Sequence, residues 1–173
     1  MEFDLDKTLE ILERTPQVLK TLLQNLPTEW THHNEGENTW SPFDVIGHLI
    51  HGEKTDWVVR AQVILSNSDD KTFAPFDRFA QFEASKGKTL EELLETFAQL
   101  RSENLTKLRA MNISESDLQK EGTHPALGKA TLKQLLSTWT VHDLGHIAQI
   151  SRVMAKQYAS EVGVWSEYLG ILK

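Results

Sequence analysis

Four stretches of this 173-residue chain carry apolar residues at intervals of three and four, and no stretch of useful length alternates apolar with polar. The first spacing is the period of a helix and the second that of a strand, so the pattern commits the chain to an all-α fold. The firmest stretch begins at Thr131. Leu132, Leu135, Leu136 and Trp139 recur at helical spacing, and His142, His146 and Ile150 continue the stripe. The two imidazoles therefore stack on a face expected to point into the core. A histidine pair one turn apart can hold one metal ion from one side. A third ligand has to come from elsewhere, and His48 is a candidate on another inward face.

The other three stripes give the remaining helices. From about Asp4 to Leu26, Leu5, Leu9, Leu12, Leu19, Leu22, Leu23 and Leu26 form one face. Pro16 lies inside that stretch and predicts a kink or short break near Thr15, and Pro27 is expected to end the helix. Ser41 is an N-cap with Pro42 at the first helical position and Asp44 completing a capping-box-like pair. Trp40 is placed to staple onto Val45, and the helix is expected to run to about Leu65 with Val45, His48, Leu49, Ile50 and Trp57 inward. Gly47 costs about 1 kcal/mol against alanine inside a helix, which a close approach or room near a ligand would explain. Thr89 with Glu92 starts the third helix, which ends near Met111. Thr131 with Gln134 starts the fourth, to about Tyr158, and Glu161–Leu172 is expected to form a short C-terminal helix.

Between these, Thr28–Trp40 reads as a polar loop whose adjacent His32 and His33 are solvated rather than converging on an ion. Lys71–Lys88 is a long connection carrying Phe73, Phe76, Phe79 and Phe82, with a short helix expected around Asp77–Ala84. Packing over one end of the bundle is the plainer role for these rings, and roofing a pocket the alternative. Asn112–Ala130 reads as a loop with a turn at His124–Gly128. Four amphipathic helices with long connections make a four-helix bundle. Two connections are long enough to cross over, so a simple up-down-up-down order is not forced.

Composition narrows the function. The length predicts one domain spanning residues 1–173, with 39% hydrophobic and 25% charged residues. A net charge of -7 argues against nucleic acid and against simple attraction to anionic lipid. There is no apolar run of about 18 residues and no signal-like N-terminus, so neither a membrane span nor secretion is expected. With no cysteine, the chain has neither disulfide nor thiolate, which fits a reducing, cytoplasmic setting. Any metal site must use nitrogen and oxygen.

Two buried neighbouring imidazoles need partners for four ring nitrogens, and a divalent cation would satisfy one nitrogen of each. Two ordinary core histidines would produce the same spacing. Among the nearby residues, Asp44 reads as a cap. Asp143, about 100° around the helix from His142, reads as a supporting or inter-helix group. Trp139 reads as a pocket wall. Glu53, Asp56 and Arg60 read as surface charges. No catalytic triad or phosphate-binding glycine loop is visible.

The segment His142-Asp143-Leu144-Gly145-His146-Ile147-Ala148-Gln149-Ile150 resembles the last-helix signature of the DinB-like superfamily, which includes the YfiT-type proteins. Trp40-Ser41-Pro42 with Val45-Ile46-Gly47-His48-Leu49 is similar to its second-helix signature. Thr15-Pro16 with Leu19, Leu22 and Leu23 resembles its kinked first helix, and His124–Gly128 the segment before its last helix. The resemblance implies an up-down-down-up bundle and one divalent metal ion held by His48, His142 and His146. His51, one turn from His48, remains an alternative ligand or supporting partner. Zinc is the first expectation, and nickel, manganese, iron or copper would also suit. The resemblance further implies an enzyme acting on a small molecule, as a transferase using a low-molecular-weight thiol of the bacillithiol type. The alternatives are a metal-dependent hydrolase and a non-catalytic metal-containing bundle acting in stress response or as an interaction protein. It also implies a homodimer.

Overall fold

The computed structural model describes residues 1–173. In chain order the helices are α1 (Leu5–Leu23), α2 (Thr28–Thr31), α3 (Pro42–Thr55), α4 (Trp57–Leu65), α5 (Ala80–Ala84) and α6 (Leu90–Ala110). A two-stranded antiparallel sheet, β1 (Glu121–His124) and β2 (Gly128–Thr131), leads into α7 (Leu132–Lys156). Short 3-10 helices lie at Asp117–Gln119, Gly163–Tyr168 and Gly170–Leu172. The capping boxes at Ser41 and Asp44, Thr89 and Glu92, and Thr131 and Gln134 all form, so polar side chains satisfy the N–H groups that begin three of the long helices.

Two apolar clusters fill the bundle and fix helix direction. One joins Leu9 and Leu12 to Trp57 and Ile64, to Leu105 and Leu108, and to Leu132 and Trp139. The other joins Leu19 and Leu23 to Val45 and Leu49, to Leu90 and Phe97, and to Ile150. Thus α1 and α7 run from the first cluster to the second, while α3–α4 and α6 run the opposite way. The result is the expected all-α four-helix bundle in up-down-down-up order. Both α1 and α3 pack against α6 and α7. No helix is long and apolar enough to cross a membrane.

Several local expectations are corrected. Of the kink or short break expected near Thr15 the break does not occur, since α1 continues through Pro16; the helix stops at Leu23, before Asn25 takes a left-handed conformation at φ 61°. Asn is among the few side chains that tolerate that region. The second long helix is divided at Asp56, whose φ of -114° and ψ of -82° leave the helical region. Beyond the division the Trp57 indole lies over Gly52, where a Cβ would come within 3.2 Å of its Nε1. The expected C-terminal helix is instead a pair of 3-10 turns, with Gly163 at φ 53° and Gly170 opening the second. The loop before α7 contains the hairpin, and Thr123 also bonds to Lys71 and Phe73 of the long connection. That contact buries Phe73, whose ring fills the space a Cβ on Gly122 would need.

Candidate metal centre

The centre of α7's inward stripe is Leu132, Leu136, Trp139, Asp143 and Ile150, all fully buried. His142 and His146 sit on the shoulder of that stripe and are half-buried. Across from them α3 presents His48, which is buried. One ring nitrogen from each of His48, His142 and His146 lies within 4.8 Å of the other two. His142 Nε2 is the hub, 3.2 Å from His48 Nε2 and 3.1 Å from His146 Nε2.

Burial sets the charge of this cluster. Desolvation is the largest cause of the lowered pKa at His48 and His142, and like-charge repulsion from the neighbouring imidazoles adds to it. Both are pushed down to about 3, so both are neutral near pH 7. His146 is lowered by burial as well, partly offset by its hydrogen bond to Gln149 and by Asp143. Neutral imidazole is the form that ligates a metal. Nδ1 of His48 and Nδ1 of His142 are buried without a hydrogen-bond partner, while His146 Nδ1 lies 2.8 Å from Gln149 Oε1. Three converging neutral ring nitrogens on two rigid helices fit a divalent cation that accepts imidazole, such as zinc or nickel.

Aromatic rings enclose the cluster. Trp40 lies 4.8 Å from the His48 ring and stacks toward His146 at 6.4 Å. Trp57 meets His142 edge-on at 5.0 Å, and Phe76 meets His48 edge-on at 5.5 Å. Of the four connector phenylalanines only Phe76 reaches the centre. Phe73 belongs to the core cluster at the other end, and Phe79 and Phe82 are exposed. Trp139 stacks on Trp57 rather than lining the site. His51 is directed at Phe76, 4.8 Å between ring centres, and is not part of the three-imidazole cluster. His32 stacks on Phe43 and His33 is exposed. Asp44 caps α3.

A buried charge network holds the two histidine-bearing helices. Arg101 of α6 is 1% exposed. It donates to both oxygens of Asp143 at 2.6 and 3.1 Å, to Glu53 Oε1 at 3.0 and 2.8 Å, and to the Leu12 carbonyl at 2.8 Å. Asn104 donates to the other Glu53 oxygen at 2.9 Å. One guanidinium thus ties α1, α3 and α7 to α6 beside the histidines. Burial works against its charge, but Asp143 and Glu53 outweigh burial and hold its pKa above the usual value. Burial raises Glu53 despite the opposing pull of Arg101 and Asn104. Glu53, Asp56 and Arg60 are therefore buried, not surface charges, and Asp56 pairs with Arg60. The sequence signal for Arg101 was its position four residues after Phe97 and four before Leu105, on the apolar stripe of α6. Gln149 was legible only as a polar residue three positions after His146.

Comparison with known proteins places these features. The family model of the DinB superfamily matches residues 11–150, which include all three histidines and Arg101. YfiT from Bacillus subtilis, described as a probable metal-dependent hydrolase with an unusual four-helix bundle topology, superposes with a TM-score of 0.74. It is 18% identical, with 88% of this chain and 86% of that one covered. TT2238, described as a four-helix bundle protein, gives a TM-score of 0.56 at 19% identity, covering 84% of this chain and 97% of that one. At these identities the likeness speaks for the fold. No curated protein sequence matches the chain.

Proposed function

The chain belongs to the DinB superfamily, and on that premise we propose that it is a metal-dependent enzyme acting on a small thiol. His48, His142 and His146 hold the divalent cation, with zinc as the first choice. The substrate is a low-molecular-weight thiol of the bacillithiol type, which is transferred to an electrophile. The observation that carries this reading is the convergence of three neutral imidazoles, from two helices, within 4.8 Å. A cation held by three protein nitrogens keeps coordination positions for other groups and, as a Lewis acid, favours thiolate over thiol.

The chain's own residues supply the rest. Depressed pKa values keep the His48 and His142 rings unprotonated, so they offer lone pairs rather than repelling a cation. Trp40, Trp57 and Phe76 surround the rings with apolar surface. That surface limits water and suits the carbon skeleton of an electrophile. In the transfer, a sulfur–carbon bond forms as the bond to the leaving group breaks, and that group departs with its electron pair. The thiol's proton is released to solvent.

The test is titration of small thiols into the cobalt-substituted protein. Sulfur-to-cobalt charge-transfer absorption supports the reading, and its absence across a thiol panel removes it. A second reading, hydrolysis at the same centre, is favoured by the likeness to YfiT, itself described as a probable metal-dependent hydrolase. Turnover of ester or amide substrates without added thiol would select it.

A further inference from the structure

The geometry points to Gln149 as the positioning residue that sets the tautomer of His146 and makes it the pre-formed anchor of the metal centre. The inference rests on the metal-binding reading but concerns an atom that can be observed without any metal.

An amide oxygen can only accept a hydrogen bond. Gln149 Oε1 lies 2.8 Å from His146 Nδ1, so that nitrogen carries the hydrogen. In a neutral imidazole the other nitrogen is then bare. His146 Nε2, the atom that faces the cluster, therefore presents a lone pair before any cation arrives. Gln149 follows His146 by three residues, so one turn of α7 supplies both the ligand and its partner.

The other two histidines lack such a partner, since Nδ1 of His48 and Nδ1 of His142 are buried and unbonded. His142 Nε2 lies 3.1 Å from His146 Nε2 and 3.2 Å from His48 Nε2, and neither contact fixes which nitrogen of His48 or His142 carries the hydrogen. The three histidines are thus unequal: only His146 is preset, by Gln149.

The tautomers are read directly by long-range 1H–15N correlation of the ring nitrogens in the metal-free protein near pH 7. The expected result is His146 in the Nδ1–H form, with its Nε2 bare before zinc is added. Gln149→Leu should remove the preference at His146 and weaken zinc binding by about 10- to 100-fold, the range typical of lost outer partners of metal ligands. Its metal-free melting temperature should be unchanged, because Gln149 is only half-buried. Gln149→Glu keeps an acceptor and should keep the Nδ1–H form. An Nε2–H form of His146 in the wild type, or a Gln149→Leu protein with the same tautomer and the same affinity, would overturn the proposal. If the wild type bound no metal, the metal-centre reading would fail, while the tautomers would still decide the role of Gln149.

Discussion

Arg101 Nη1 donates to the carbonyl oxygen of Leu12 at 2.8 Å, the acceptor that an uninterrupted α1 would have served from position 16. Pro16 has no N–H to give. The same guanidinium binds Glu53 on α3 and Asp143 on α7, so the gap left by proline in one helix joins a network that locks the two helices bearing the histidines. The carbonyl orphaned by Pro16 thus has a charged donor.

That relationship predicts coupling between two distant positions. Pro16→Ala restores the backbone donor, and its stabilisation should fall short of the about 3 kcal/mol that proline costs inside an ordinary helix, because Leu12 is already satisfied. In an Arg101→Met background the gain should be larger. A double-mutant cycle by urea denaturation should give an interaction of about 0.5–3 kcal/mol, and strict additivity would contradict the relationship.

Removing Arg101 alone leaves two buried carboxylates without their cation. Arg101→Met should destabilise the protein by about 3–5 kcal/mol. Replacing the set together, as Arg101→Met with Glu53→Leu and Asp143→Leu, should recover most of that loss, because no charge then remains buried unpaired. Thermal or chemical denaturation of the two variants makes the comparison.

Acid should destabilise the metal-free protein. His48 and His142 have folded pKa values near 3 against an ordinary 6.5, so between those values the unfolded chain binds more protons. Their stabilising contribution is intact above about pH 6.5 and is lost as the pH falls toward 3. Asp56, raised to about 6 chiefly by burial despite the pull of Arg60, acts the other way, its contribution being lost as the pH rises through 6. The two histidines span the wider window and set the net direction. Stability measured from pH 7 to 4 should fall, and His142→Gln should flatten the slope.

Gly47 marks where α5 crosses α3, one residue before His48. A Cβ there would lie 2.6 Å from Ser85 Oγ and 3.1 Å from Gln81 Cβ. Gly47→Ala gains about 1 kcal/mol of helix propensity, yet overpacking of about 1–3 kcal/mol should make it neutral to destabilising. Ser85→Ala should relieve part of the clash, and melting temperatures of the single and double variants test this.

The sequence showed the bundle and the histidines for the same reason: both follow the helical period. His142 and His146 extend the stripe of α7, and His48 stands on the stripe of α3. What it hid was mostly tertiary. Arg101 and Glu53 occupy stripe positions, but a charge on a stripe reads as solvated until its partner, 48 residues away along the chain, is brought to it. Asp143 reads as a supporting or inter-helix group, and what the sequence hid was its partner Arg101. The hairpin escaped because strands of four residues are too short to show alternation. The division at Asp56 carries neither glycine nor proline to announce it. The donor that satisfies the Leu12 carbonyl opposite Pro16 comes from another helix, which no local rule around Pro16 contains.

Zinc titration of the metal-stripped protein, followed by X-ray absorption at the zinc edge, tests the central claim most directly. The account predicts one ion per chain with three imidazole nitrogens at about 2.0–2.1 Å, and loss of that shell in His48→Ala, His142→Ala and His146→Ala. A wild type that takes up no zinc, or a coordination shell that survives His142→Ala unchanged, would contradict it.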